Sequence, residues 1–273
     1  MTSELIISSG QNARVKRLLA LQQKSAERRH QGLFVVEGQR ELEHCIEAGY
    51  SIETLFVREG TVLPASMTAA TTPDNGTALY TVTPQVYERM AYRGSTEGLM
   101  AIVHAKSHCL SDLQLGPDPL VVVLERVEKP GNLGAVLRSA DAAGADAVVV
   151  CDPLTDLYNP NLIRSSIGAV FTVPTVACTS EECIAFCQQH GLQILTAQLQ
   201  DSHLYYDTPM TQGTAIVMGT ESTGLTTLWR KAATAHIRIP MLGQLDSLNV
   251  SVSAAILLFE AVRQRQALHA THS

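Results

Sequence analysis

The sequence predicts an α/β protein of two domains, the second built on a parallel sheet. Three observations predict it. The second half alternates near-continuous apolar segments (PLVVVLERV, ADAVVV, LQILTAQL, TAIVMG) with stretches of helical length and pattern. That is the rhythm of strands covered on both faces by helices. The first hundred residues alternate too, in shorter elements, and a polar stretch ending in the Gly116–Pro117 breaker separates the halves. Finally, 273 residues that are 45% hydrophobic and 17% charged can bury two cores without staples and are too apolar for global disorder.

The elements follow in order, with a small α/β domain expected over 1–105, a linker over 106–117 and the larger domain over 118–273. Val15, Leu18, Leu19 and Leu21 recur at helical spacing, and LFVVEG reads as a short strand. QRELEHCIEAG is a helix and ETLFVRE a strand, followed by a polar stretch from Thr61 to Thr77. LYTVT precedes a helix opened by Pro84, where a missing N–H costs nothing. GLMAIVHA completes the first domain. In the second, the strand PLVVVLERV leads to a helix from about Leu133 to Ala143 and then to ADAVVV. A helix near NPNLIRSSIGA, the strand FTVPTVA, a helix over 180–190 and the strand LQILTAQL continue the pattern. TAIVMG, a short helix around LTTLWRKA and AHIRIPM follow. A long helix from about Ser247 to Gln266, with Ser247 as its N-cap, closes the chain.

No apolar run approaches the roughly 18–20 residues that cross a bilayer, and the start lacks the pattern of a signal peptide. A soluble cytoplasmic protein without a membrane partner is expected. The six cysteines fit a reducing compartment, and none forms a C-x-x-C pair. Cys178, Cys183 and Cys187 fall in TSEECIAFCQQHG and read as buried free thiols on an amphipathic helix, so no metal is expected. Formal net charge is −6, yet residues 10–30 carry Arg14, Lys16, Arg17, Lys24, Arg28 and Arg29 against Glu27 alone. A positive stretch on a negative body suits a local polyanion contact; a solvated helix face is the alternative.

Three segments break the regular pattern, each just after a strand, where open α/β sheets bind ligands. In ERVEKPGNLGAVLRSADAAG, Pro130, Gly131 and Asn132 turn into a helix whose first N–H groups are free for a polar ligand, and Arg138 interrupts its apolar residues. In AIVMGTESTGLTTLW, Gly219 and Gly224 allow close backbone approach, while Glu221 is a charge at the end of an apolar strand and needs a partner. In RIPMLGQLDSLNVSVSAA, Asn249, Ser251 and Ser253 place a polar stripe at a helix start. Neither G-x-G-x-x-G nor G-x-x-x-x-G-K-[ST] occurs, which argues against a dinucleotide-dependent enzyme and a P-loop.

Together and in this order, these segments resemble the three motifs of the SpoU (TrmH-like) branch of the SPOUT RNA methyltransferases. They are Asn132-x-Gly134-x-x-x-Arg138, Gly219-x-Glu221-x-x-Gly224, and Ile239-Pro240-Met241 followed by Ser247-Leu248-Asn249-Val250-Ser251. Asn159-Pro160 through Arg164-Ser165-Ser166-x-Gly168-Ala169 is similar to the family as well. More softly, Ser9-x-Gln11-Asn12, Val15-Lys16 and Phe34 to Gly38 resemble the small RNA-binding domain that some members place first. Lys129 departs from the pattern, since many members carry Asp or Asn there.

The resemblance implies an S-adenosylmethionine-dependent methyltransferase acting on a ribose 2′-hydroxyl, with a trefoil knot in the C-terminal domain and a homodimer whose packed helices build both active sites. Ribosomal RNA is favoured as substrate over transfer RNA; a catalytically degenerate RNA-binding or assembly factor is the further alternative. Carried over by position, Thr196, Ala197, Gly219, Ile239 and Leu248 would hold the cofactor, and Arg138, Asn132, Glu221, Ser247 and Asn249 would form the catalytic frame. Arg138 is always protonated, so it would anchor a phosphate and steady a developing alkoxide rather than act as a base. RNA would meet Arg14, Lys16, Arg17, Arg28 and Arg29. With aromatic residues at only 5%, phosphate contacts and shape would dominate its recognition.

Overall fold

In a computed structural model describing residues 6–71, 76–92, 97–220 and 223–271, the chain divides into two units. The first runs to Ser107 and takes in Asp156–Thr172; the second is His108–Thr155 with the chain from Val173 onward.

The strand β1 (Ile6–Ile7) leads to α1 (Ala13–Gln23), capped by the Asn12 side chain, which accepts the Arg14 N–H at 2.9 Å. The basic stretch is two helices rather than one: Lys24 is extended between α1 and α2 (Ser25–Gln31), and α2 ends on Gly32 at φ 63°. β2 (Leu33–Glu37), α3 (Gln39–Glu47) and β3 (Ile52–Arg58) match the alternation. The polar stretch after β3 contains one further helix, α4 (Ala65–Ala70), anchored by the fully buried Met67. β4 (Ala78–Val82), α5 (Pro84–Met90) and β5 (Leu99–His104) follow. The sheet order is β1-β4-β3-β5-β2, with β5 antiparallel to both β2 and β3. One face buries Val15, Leu18 and Leu21 of α1 and Val86 and Met90 of α5 against Val35, Phe56 and Ile102.

In the second unit β6 (Leu120–Glu125) is buried along its whole length. α6 (Pro130–Ala142) starts at Pro130, earlier than Leu133, because proline fits the first helical position. β7 (Ala147–Cys151) ends the first βαβ unit. The next two helices, α7 (Pro160–Ser166) and α8 (Ala169–Thr172), belong to the first unit, where α7 lies against β2 and α8 against α3. Phe171 therefore lies in a helix instead of starting a strand: its ring lies 5.9 Å from Phe34 and 5.3 Å from Tyr50, and Tyr158 stacks on Phe34 at 4.2 Å.

The strand expected over FTVPTVA is accordingly the shorter β8 (Thr175–Cys178). α9 (Ser180–Gln189), β9 (Gln193–Ala197), β10 (His203–Leu204), β11 (Thr214–Met218), α10 (Thr227–Ala232), β12 (Ala235–Arg238) and α11 (Val250–Thr271) complete the unit. Its seven strands run β10-β12-β9-β11-β6-β7-β8, every pair parallel. Successive side chains point to opposite faces. Val121, Val123, Val149 and Val217 pack with Cys183, Phe186 and Trp229 from α9 and α10 on one face. On the other, α6 and α11 pack together, α6 reaching β7 and α11 reaching β11.

Candidate active site

Beyond the carboxyl ends of β9, β11 and β12 the second unit holds a cavity of about 410 Å³, within the roughly 300–1,000 Å³ usual for small-molecule sites. Ala197 and Gln198 follow β9, Gly219 and Thr220 follow β11, and Ile239 follows β12. Ser247, Leu248 and the first turns of α11 close the remaining side.

The loop after β11 is tight because both glycines are required. Gly224 sits at φ 66° and donates its N–H to the Thr220 carbonyl at 3.0 Å. A Cβ at Gly219 would stand 2.3 Å from the Gly224 carbonyl carbon and 2.6 Å from the Leu225 nitrogen. Glu125 secures the far end of this loop. Its carboxylate is 2% exposed and accepts both the Thr226 N–H at 2.8 Å and the Thr226 hydroxyl at 2.6 Å. Sequence reasoning passed over Glu125, although a charge ending an apolar strand is the signal that singled out Glu221. Glu221 itself lies outside the described residues.

Of the expected cofactor residues, Ala197, Gly219, Ile239 and Leu248 line the cavity. Thr196 is not among its lining residues: the side chain is fully buried and hydrogen-bonds His236 Nδ1 across to β12 at 2.6 Å. Among the expected catalytic residues, Ser247 lines the cavity but does not cap the last helix. Asn249 does, because its Oδ1 accepts the Ser251 N–H at 2.9 Å, so the helix starts at Val250. The Asn249 amide also donates to Asn132 Oδ1 at 3.1 Å, tying the start of α11 to the first turn of α6. Asn132, Gly219, Thr220 and Val250 share a smaller recess of about 100 Å³, of which the last three also line the main cavity. Arg138 is exposed on α6, six residues beyond Asn132, and lines neither space.

The basic residues of the first unit divide in two. Arg14, Lys16 and Arg29 are exposed, Arg14 lying over the Tyr80 ring at 4.5 Å. Arg17 pairs with Glu53 at 3.0 Å and hydrogen-bonds Gln31. Arg28, expected on the RNA-facing surface, is instead 5% exposed. It pairs with Asp156 at 2.6 Å and donates to the Leu21 and Gln22 carbonyls, so its charge is spent inside the unit. That correction follows from burial: a guanidinium 5% exposed and bonded to three internal acceptors is not presented to a phosphate.

The main cavity fits S-adenosylmethionine on two counts. Its wall is apolar at Ile239, Leu248 and Leu257, and it leaves Gly219 no room for a side chain, as suits a backbone cradle for a nucleoside. Gln198 Oε1, also in the lining, is buried and accepts no hydrogen bond among the described residues, which leaves one acceptor for a ligand N–H or O–H.

A family model, the SpoU rRNA Methylase family, matches residues 119–259, and a second, the MRM3-like substrate binding domain, matches 12–101. The chain is 27% identical over 253 residues to the 23S rRNA (guanosine(2553)-2'-O)-methyltransferase RlmP of Bacillus subtilis, covering 93% of this chain and 97% of that protein. A crystal structure of an RNA 2'-O ribose methyltransferase superposes with a TM-score of 0.83 at 41% identity, over 96% of this chain and all of the other (100%). The SpoU methyltransferase AviRb of Streptomyces viridochromogenes, solved in complex with AdoMet, gives a TM-score of 0.85 at 28% identity over 94% and 99% of the two chains. With the family model spanning more than half its length, and residues of the second and third motifs lining the cavity, the chain belongs to the SpoU rRNA methylase family.

Proposed function

We propose that this protein is an S-adenosylmethionine-dependent methyltransferase that modifies a ribose 2′-hydroxyl in ribosomal RNA. The observation that carries the reading is the juxtaposition of the Gly219 cradle with the Asn132–Asn249 pair, two spaces that share Gly219, Thr220 and Val250. The names of its relatives support the substrate: RlmP is a 23S rRNA 2'-O-methyltransferase.

S-adenosylmethionine, when bound, supplies a methyl group already activated on a sulfonium. The protein then has to position the hydroxyl and stabilise the charge growing on its oxygen. Ala197, Gly219, Ile239 and Leu248 would hold the cofactor through main-chain groups and apolar contact. Arg138 would bind the phosphate beside the target ribose and steady the developing alkoxide, with a phosphate oxygen or water taking the proton. Asn132 and Asn249, already bonded to each other, would frame the nucleotide; Ser247 and Glu221 would complete that frame.

The reading includes a homodimer. α11 leaves Val252 at 47% and Phe259 at 49% exposed, an apolar face that a second copy would cover. Arg138 stands outside both spaces of its own chain, which favours its serving the partner's site. The reading includes the trefoil knot that the family resemblance implies for the second unit. The exposed Arg14, Lys16 and Arg29 would meet RNA phosphates. The six cysteines are all free, which suits the cytoplasm.

The test is methyl transfer from labelled cofactor to ribosomal RNA, with the product ribose mapped. Arg138→Ala is expected to lower turnover by about 10²–10³-fold, the usual loss for one transition-state donor, while cofactor affinity holds. Wild-type turnover by that variant, or no labelled ribose from the wild-type enzyme, would overturn the proposal.

A further inference from the structure

At the outer edge of the second unit's sheet, β7 and β8 end on Cys151 and Cys178, which are register partners on adjacent parallel strands. The chain turns directly into α9, where Thr179 and Glu182 form a capping box, and Cys183 follows one turn in. These three sulfurs all lie within 4.8 Å of one another. The sequence places Cys178 with Cys183 and Cys187 on one helix as buried free thiols, whereas the fold puts Cys178 at the end of β8 and brings Cys151 to it. Cys151 and Cys183 are fully buried, whereas Cys178 is half-buried and gives the cluster an opening to the surface.

The spacing suits a cation. Three thiolates each about 2.3 Å from one ion stand roughly 3.8–4.0 Å apart, so the widest pair here has to close by about 1 Å at most. The surroundings are held in advance. Ser180 Oγ donates to Asp152, the residue after Cys151, at 2.6 Å, and accepts from Trp229 Nε1 at 3.0 Å. The strand end and the helix that carry two of the ligands are thus locked together before any ion arrives.

We propose that Cys151, Cys178 and Cys183 form a three-thiolate site for one thiophilic d10 cation of zinc(II) chemistry, its fourth position open to solvent beside Cys178. Three soft sulfur ligands select such an ion over magnesium or calcium. On binding, the three S–H protons pass to solvent and three metal–sulfur bonds form; nothing is oxidised or reduced. The site would clasp the two strand ends between which the chain leaves for α7 and α8 and returns, so its effect would be on folding stability. This inference is independent of the methyl-transfer reading.

The probe is cadmium(II), added without air to the full-length, reduced, chelator-treated chain, with the thiolate-to-cadmium charge-transfer absorbance followed. One saturating equivalent per chain, a rise in Tm, and release of zinc(II) from the zinc-loaded chain as cadmium enters are expected. Cys178→Ser should remove the equivalent while still binding S-adenosylmethionine, and Cys109→Ser, which changes an exposed thiol outside the cluster, should retain it. Should Cys178→Ser fail to fold, alkylation of the wild-type chain decides: Cys178 reacts when metal-free and is shielded when loaded. No saturable band, a band that survives Cys178→Ser, or unshielded Cys178 would overturn the site. So would a reduced chain without a band that loses two hydrogens in air, the mark of a dithiol.

Discussion

Gly219 occupies a position that no other residue can take without moving backbone, because its missing Cβ is the space that Gly224 and Leu225 fill. Gly219→Ala must displace Gly224 and Leu225, both of which line the cavity. Overpacking of this kind costs about 1–3 kcal/mol, so titration calorimetry should find S-adenosylmethionine bound roughly 5–150-fold more weakly. Ile239→Val should barely alter the affinity, since it keeps both the main chain and an apolar surface. A separate residue-scale prediction concerns Glu41 in the first unit. Burial, with the nearby Glu97 charge adding to it, holds the Glu41 carboxyl above its ordinary value of 4.5, against a lowering backbone hydrogen bond. A folded carboxyl with a raised pKa binds its proton more tightly than the unfolded chain does. Its contribution to stability is therefore full below the unfolded value and is lost as pH rises through the folded one. Glu41→Gln should leave Tm unchanged in acid and raise it near neutrality, as thermal melts across that range would record.

Helix α2 carries Arg28 and Arg29 side by side, and the fold gives them opposite duties. Arg28 is buried against the partly exposed Asp156 and two carbonyls, so Arg28→Ala leaves the Leu21 and Gln22 carbonyls without their donor and should cost about 1–3 kcal/mol in denaturant melts. Arg29 is exposed, and Arg29→Ala should keep the melt unchanged while reducing the salt slope of RNA binding by about 1. Nothing in the sequence separated the two, because charge says nothing about burial and the partner lies 128 residues away. The excursion over α7 and α8 was hidden for a related reason: an amphipathic helix shows the same apolar stripe whichever unit it packs on. What was legible is what burial writes locally. Strands covered on both faces leave unbroken runs such as LVVVL, and the loop after β11 leaves a glycine and polar cluster, so the parallel sheet and the Gly219 loop could be read, whereas Ala197, Ile239 and Leu248 are marked only by the family resemblance. The start of α11 was legible only to within a turn, since Ser247 and Asn249 are both good caps and geometry selects Asn249.

At the scale of the whole molecule, the question is which chain's Arg138 serves which cavity. In one chain the main cavity, proposed above for the cofactor, lies beyond β9, β11 and β12, and Arg138 on α6 does not line it. A two-fold dimer packed through α11, which itself lies on α6, would present each arginine to the other copy. That arrangement makes a prediction that a self-contained active site does not. Arg138→Ala alone should bind S-adenosylmethionine without turning over, and Gly219→Trp alone should keep its arginine while losing the cofactor. When the two are unfolded together and refolded, half of the randomly paired dimers are mixed. Each mixed dimer then has one site with an intact cavity and an intact arginine, and the other with neither. Activity should return to about a quarter of the wild-type rate. If Arg138 instead served its own chain, every site in the mixture would lack one component and no rate would return.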